Sequence, residues 1–437
     1  MEDLTNGPPL ASTISSIANL TKTIVGAGML AIPYAFRADS IIFGILIILL
    51  AGVASGFGLY LQFRSSKFLP PGHATFFSVC SITYPKLSAI FDLAIFLQCY
   101  GCCVSYLVIV GDLLPDLIKH DSFQRSQAIL SSAIIIFPLL YLKSLNSLKY
   151  TSMLGLAAIA YLFLLVVAHF VVGDVSSELK GEIRIIEPLG LVPMLSTFSI
   201  IVFAYTGHQN MYSVINESKD KSTKNILVII VSCVAISTTL FIIIGLAGYL
   251  TFGSNVSGNV ILMYDNKLPN IIGRYATIFM VIFSLPLMFH PCRLSANNIV
   301  YYIQTNYCSQ TEMKTITEDE ETPLLQTDEP SPSEMQPVIV PFSNKTFIVL
   351  TTSLGLLAYV LALSISEFAL VLSLVGATGS TTISFILPGL FGYKLLANDH
   401  TDINYKQDRI FKLFSVGLTY WGFLVMFVCV GATLFFN

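Results

Sequence analysis

The sequence predicts an all-α integral membrane protein with 11 transmembrane helices, folded as a 5+5 inverted repeat in which helices 1 and 6 are broken. Three observations carry this. Hydrophobic residues make up 54% of the chain and charged residues 11%, with a mean hydropathy of +0.75, whereas soluble domains carry about 25% charged residues. Eleven apolar stretches are long enough for membrane helices, since about 20 residues rising about 1.5 Å each cross roughly 30 Å of hydrocarbon. The first and sixth of them are interrupted at mid-depth by glycines and polar side chains.

In chain order the stretches are 13–36, 40–62, 86–118, 126–142, 149–172, 190–215, 224–252, 269–302, 345–364, 368–396 and 411–435. Residues 13–172 make the first five-helix repeat, 190–302 with 345–396 make the second, and 411–435 is an eleventh helix outside the repeat. Residues 1–12 are a cytosolic N-terminus. They lack the basic start and cleavage site of a signal peptide, so the first span serves as its own insertion signal. With the N-terminus inside, 15 of the 23 lysines and arginines fall in cytosolic connections, seven in the opposite ones, and Lys22 within the first span. The positive-inside rule therefore places the N-terminus in the cytosol and the C-terminus across the membrane.

One connection, 303–344, differs in kind. Between 309 and 341 it holds eight acidic residues, one lysine and five prolines, a composition that builds no core and reads as a disordered cytosolic loop. Glu320-Glu321-Thr322-Pro323-Leu324-Leu325 inside it fits an acidic dileucine sorting signal, in which Glu320, Leu324 and Leu325 are the recognised residues. Asn255-Val256-Ser257 is a glycosylation sequon on the opposite side; those at Asn19, Asn216 and Asn344 lie in the membrane or the cytosol in this topology.

Ser12 to Phe36, STISSIANLTKTIVGAGMLAIPYAF, is apolar but poor helix in its middle. Gly26 and Gly28 each disfavour helix by about 1 kcal/mol relative to alanine, and Thr21, Lys22 and Thr23 precede them. The expectation is two half-helices with an unwound joint. Unwound backbone at membrane depth is tolerated only inside protein or against a cavity, so the joint is a candidate binding site. The stretch 190–215 repeats the pattern with Phe203-Ala204-Tyr205-Thr206-Gly207-His208-Gln209-Asn210. Paired broken helices heading two inverted halves are the architecture of secondary transporters that bind substrate near the midplane.

The same residues carry a resemblance. Asn19 to Tyr34, NLTKTIVGAGMLAIPY, resembles the first-span signature of the amino acid/auxin permease family, which includes the sodium-coupled neutral amino acid transporters of animals and the vacuolar amino acid transporters of yeasts. Ser105 to Asp112, Phe203 to Asn210 followed by Ile215-Asn216-Glu217, and Gly376 to Ser380 running to Phe385 to Gly389 are similar to the vacuolar branch. The resemblance covers all eleven spans. It implies a LeuT-like fold, amino acid transport, and release of amino acids from a vacuole or lysosome-like compartment to the cytosol.

An α-amino acid needs donors for its carboxylate and acceptors for its ammonium, and broken helices offer both. Free N–H groups around Gly26, Ala27, Gly28 and Met29, at the positive end of a half-helix, suit the carboxylate. Carbonyls freed around Phe203, Ala204, Thr206 and Gly207 suit the ammonium, with the Thr23 and Tyr106 hydroxyls as further ligands. The alternative is that Gly26 and Gly28 only let helices pack closely. No lysine or arginine is aimed at a side-chain carboxylate, so neutral amino acids are favoured as substrates.

Coupling falls to Lys22, Val25, His208 and Ser284. A charge at the bilayer centre costs at least about 3 kcal/mol, so Lys22 should face protein or water. In sodium-coupled members of the LeuT-like fold, carbonyls of this region, here that of Val25, and hydroxyls on span eight, here that of Ser284, hold sodium. Lys22 departs from the asparagine of the animal sodium-coupled members, and the expectation is that its ammonium stands in for sodium, leaving a proton as the coupling ion. The alternative is a lysine solvated by the inner vestibule. His208, whose side chain titrates near ~6.5 when unperturbed, is a candidate to carry that proton; alternatively it satisfies backbone groups released by the break.

The remaining features exclude more than they assign. A net charge of −3 gives no reason for a nucleic-acid partner, and the partners expected are the amino acid, the proton and the bilayer. The eight cysteines, including Cys99, Cys102 and Cys103, sit mostly in apolar spans and read as packing residues, with no metal and no cofactor expected. No His-Glu-x-x-His or nucleophile motif points to an enzyme. An amino acid sensor or a channel-like protein on a transporter scaffold is the alternative function.

Overall fold

The computed structural model describes residues 11–118, 123–142, 149–305, 342–397 and 405–435. The dileucine residues Glu320, Leu324 and Leu325 lie outside them. The described residues are helical almost throughout, and nine of their helices are long and apolar enough to cross a membrane. Arg125–Leu140 (α6) is apolar but shorter.

The first stretch is three pieces. Ser12 caps α1 (Thr13–Val25), accepting from the Ser15 N–H at 3.3 Å. The helix stops at Gly26, whose φ of +33° and ψ of −149° side chains rarely adopt. A 3₁₀ turn, Ala27–Ala31, leads into α2 (Ile32–Asp39), with Pro33 in its first turn where no N–H is missed. After the corner at Ser40 come α3 (Ile41–Ser66), α4 (Phe76–Thr83), α5 (Ser88–Ile118), α6 and α7 (Lys149–Val172).

The sixth stretch is also divided, into α8 (Leu191–Ala204) and α9 (His208–Glu217), with Tyr205 to Gly207 between them. Then follow α10 (Thr223–Phe252), α11 (Leu268–Ile303) and α12 (Asn344–Ser364). The tenth stretch, read from sequence as a plain helix, is not one. It runs as α13 (Phe368–Val375), two π-helical turns (Gly376–Ser380 and Thr382–Ile386) and α14 (Leu387–Leu395), before α15 (Tyr405–Phe435) closes the chain.

Burial separates an inner set of helices from an outer one. From Gln98 to Leu113 α5 is almost wholly enclosed, and the π-turns beside it are buried, whereas α3 leaves Leu46, Leu50 and Val53 exposed. Exposed leucine and valine suit hydrocarbon rather than water. Two segments close the ends of the bundle. Residues 184–189 form a strap across the α2–α3 corner: Ile41 and Ile42 donate to the Arg184 and Ile185 carbonyls at 3.2 and 3.0 Å, and Leu189 donates to the Ala38 carbonyl at 2.8 Å. At the other end Ala11 pairs with Ser218, its N–H donating to the Glu217 carbonyl at 2.7 Å.

Candidate substrate site

The two breaks meet. A Cβ on Gly28 would lie 3.0 Å from the Ala204 Cα and 3.5 Å from the Phe203 ring, so only glycine lets the 3₁₀ turn reach the end of α8 without displacing backbone. Gly207 is as close from the other side, since a Cβ there would sit 2.6 Å from Ile24 Cγ1 on α1. Gly28, Phe203 and Ala204 are thereby brought together, with Gly26, Ala27 and Met29 beside Gly28 in one chain segment and Thr206 and Gly207 just after Ala204 in the other. The first N–H groups of the turn that starts at Ala27 have no partner within it.

The carbonyls are less free than the sequence suggests. That of Phe203 accepts from the Thr206 N–H at 3.0 Å, and that of Thr206 from Gln209 Nε2 at 3.5 Å. Ser55 Oγ takes the Tyr205 carbonyl at 3.2 Å, and Thr206 Oγ1 turns back to the Val202 carbonyl at 2.8 Å. None of these bonds uses the Ala204 carbonyl. Thr23 Oγ1 donates to the Asn19 carbonyl at 3.0 Å and accepts from Asn210 Nδ2 at 3.0 Å, joining α1 to α9. Tyr106, buried on α5, makes no hydrogen bond through its hydroxyl among the described residues.

Lys22 extends from α1 to α7, where a Cβ on Gly155 would lie 3.1 Å from its Cε and 3.5 Å from its Nζ. Its ammonium has no hydrogen bond or ion pair among the described residues. Val25 is the last residue of α1, and Ser284 is half-buried on α11. His208 is fully enclosed. Its Nε2 lies 3.1 Å from the Ser55 carbonyl and its Nδ1 3.0 Å from Ser384 Oγ in the second π-turn, so both ring nitrogens are taken by protein. A carbonyl beside Nε2 assigns the proton to that nitrogen and leaves Nδ1 to accept from the serine. Gly58 permits this, because a Cβ there would strike the Ser384 carbonyl and lie 2.8 Å from His208 Nε2.

A cavity of about 230 Å³ lies beside Tyr34, Ser196, Ile200 and Ser373, with Glu367 at its rim. It is lined by α2, α8 and α13 rather than by the residues at the breaks. Sequence reasoning missed three buried polar contacts among these helices. Asp39 on α2 is buried against Thr197 on α8. Ser380 in the first π-turn donates to Gln98 Oε1 on α5 at 2.5 Å, where Gly379 lets the two backbones close. Gln62 Nε2 supports the His208 carbonyl at 3.3 Å. A polar residue in a membrane stretch was the available signal, but its partner lies far away in sequence.

An all-helical membrane bundle with two apposed helix breaks defines a class of transporter-like folds, and the comparisons agree. The sequence profile described as Transmembrane amino acid transporter protein matches residues 10–435, and the chain belongs to this family, which is one of transporters rather than enzymes. Vacuolar amino acid transporter 7 of Saccharomyces cerevisiae is 40% identical over 97% of this chain and 98% of its own length. Vacuolar amino acid transporter 6 of the same yeast is 38% identical over 98% and 100%, and Vacuolar amino acid transporter 5 of Schizosaccharomyces pombe 37% over 96% and 93%. Among solved structures, MhsT in complex with L-phenylalanine matches with a TM-score of 0.57 at 13% identity, covering 96% of this chain and all of that one, which shows a shared LeuT-like fold.

Proposed function

We propose that this protein is a secondary active, proton-coupled amino acid transporter of a vacuolar or lysosome-like membrane, moving amino acids from the lumen to the cytosol. The observation that carries the reading is the contact of Gly28 with Ala204, which brings the turn after the first break against the end of the helix before the second. The names of the yeast relatives support the amino acid and the vacuole.

In this reading the broken first stretch and α6 join the nine long helices to make eleven spans, in two inverted sets of five with the eleventh outside. The N-terminus is cytosolic and the C-terminus lumenal, which puts the Asn255 sequon in the lumen. The Lys22 ammonium takes the place of a sodium ion between α1 and its neighbours, near the Val25 carbonyl and Ser284; its reach toward Gly155 and its lack of a partner among the described residues support this. The proton then drives the cycle.

Reconstituted vesicles test the reading directly. Preloading with unlabelled amino acid should produce a transient overshoot of labelled amino acid, and a panel of substrates ranks specificity. Flux without overshoot would identify a channel, and binding without flux a sensor; either would overturn the proposal.

A further inference from the structure

The carboxyl group of Asp39 is fully enclosed and half satisfied. Its Oδ1 accepts from Thr197 Oγ1 at 2.8 Å, while its Oδ2 has no hydrogen-bond partner among the described residues. The other buried or partly buried acids of the spans are held by nitrogen donors: Asp92 by Asn298 Nδ2 at 3.2 Å, Asp112 by Arg125 Nε at 2.7 Å, and Asp408 by Arg64 Nη2 at 2.8 and 2.9 Å. Asp39 has only a hydroxyl, and a hydroxyl can donate or accept.

Thr197 has the means to do both. Its Oγ1 lies 3.0 Å from the Pro193 carbonyl and 3.1 Å from the Met194 carbonyl, as well as 2.8 Å from Asp39. With Asp39 ionised, the single threonine proton points to Oδ1. With a proton on Oδ1, the acid donates to Thr197 Oγ1, and the threonine proton turns to Pro193 or Met194. Each state satisfies Thr197, and the second removes an enclosed anion with an unpaired oxygen, which is costly to hold away from water.

The position matters as much as the chemistry. Asp39 ends α2 and Thr197 lies on α8, the half-helices on the same side of the two breaks. The strap over 184–189 seals the corner, with Ser40 Oγ bonded to the Ile186 carbonyl at 3.2 Å. The cavity lined by Tyr34 and Ser196 reaches the residue next to Thr197. Charged and titratable groups on the packed elements are engaged elsewhere: Arg37 lies over the Tyr34 ring, Arg184 is 4.0 Å from Glu182, and the Tyr249 hydroxyl on α10 accepts from the Arg184 N–H. Glu187 on the strap and Glu367 at the cavity rim are exposed acids and bring Asp39 no counter-charge.

We propose that Asp39 and Thr197 form a proton-binding site that couples the closure of α2 against α8 to protonation from the lumen. The proposal rests on the proton-coupled reading and names where that proton sits. When the site is shut, as in this structure, the acid carries its proton on Oδ1 and α2 holds to α8; loss of the proton leaves a charge that is relieved only when the corner opens to water.

The test is vesicle transport with and without an imposed pH gradient, in the parent, Asp39→Asn and Thr197→Val, together with infrared difference spectra on amino acid addition. If the parent itself ignores the gradient, proton coupling fails and this site falls with it. If the parent responds, Asp39→Asn should lose the stimulation by the gradient, and a carboxylic-acid C=O band present in the parent should vanish. Should that variant fail to fold, Thr197→Val should displace the pH of half-maximal stimulation while Thr197→Ser keeps it. An Asp39→Asn protein with the parent's gradient response, or a Thr197→Val protein with an unmoved pH profile, would overturn the assignment.

Discussion

Asn210 Nδ2 donates to Thr23 Oγ1 at 3.0 Å, so a single hydrogen bond ties the helix before the first break to the helix after the second. A neutral bond of this kind contributes about 1 kcal/mol, or roughly fivefold in an equilibrium. Thr23→Val should therefore change the apparent substrate affinity by about that factor, and Thr23→Ser should not. Asn210→Leu tells the two roles of Thr23 apart. It should match Thr23→Val if the tie matters, and match the parent if the Thr23 hydroxyl acts on substrate alone.

Lys22 makes a prediction about ions. With an ammonium between α1 and Gly155 on α7, uptake into vesicles should be equal in sodium and potassium gradients. Sodium-stimulated uptake by the parent would rule out the substitution. Lys22→Asn removes the ammonium while keeping a polar side chain and is the variant in which sodium stimulation should first be sought.

His208 makes the opposite prediction from Asp39. Both of its ring nitrogens are engaged, by the Ser55 carbonyl and Ser384 Oγ, which makes the ring a bolt between α3, α9 and the second π-turn. His208→Gln keeps a donor and an acceptor but cannot charge in the physiological range. It should keep the response to a pH gradient while lowering abundance. Loss of that response in a normally abundant protein would return the proton to His208.

How much of this was legible beforehand depended on the range of the signal. The stop at Gly26 was readable because glycine penalises helix locally, and the polar run from Tyr205 to Asn210 marked the second break the same way. The meeting of Gly28 with Ala204 followed only from pairing the two. Asp39 was not singled out, because nothing near it in sequence distinguishes a buried acid from one at a helix end; its partner Thr197 is 158 residues away. The π-turns after Val375 were missed for a different reason. Gly376 to Ser380 looks like ordinary small-residue packing, and only its approach to Gln98 on α5 shows why the helix widens there.

At the lumenal end in the proposed topology, His169 Nδ1 lies 2.7 Å from Asp174 Oδ1, and Lys267 Nζ 3.2 Å from Asp174 Oδ2. The His169 hydrogen bond, and after it that of Lys267, hold the Asp174 carboxyl below the usual carboxylate range. A carboxyl lowered in the folded state contributes its stability above the unfolded value, near ~3.9, and loses it as pH falls through the folded value. An acidic lumen therefore leaves the contact intact. Asp174→Asn should lower the melting temperature in detergent by a constant amount above about pH 5, equivalent to about 1 kcal/mol for a partly exposed pair, with the gap closing below about pH 4. A gap that widens on acidification would contradict this account.

The central claim is that the apposed breaks form the amino acid site, and Gly28 tests it most directly. Gly28→Val places a branched side chain where a Cβ alone would already lie 3.0 Å from the Ala204 backbone. Counterflow of labelled amino acid should be measured in vesicles holding equal amounts of parent and variant protein. The account predicts an overshoot for the parent and its loss in Gly28→Val. An undiminished overshoot in the variant would mean that the amino acid binds elsewhere.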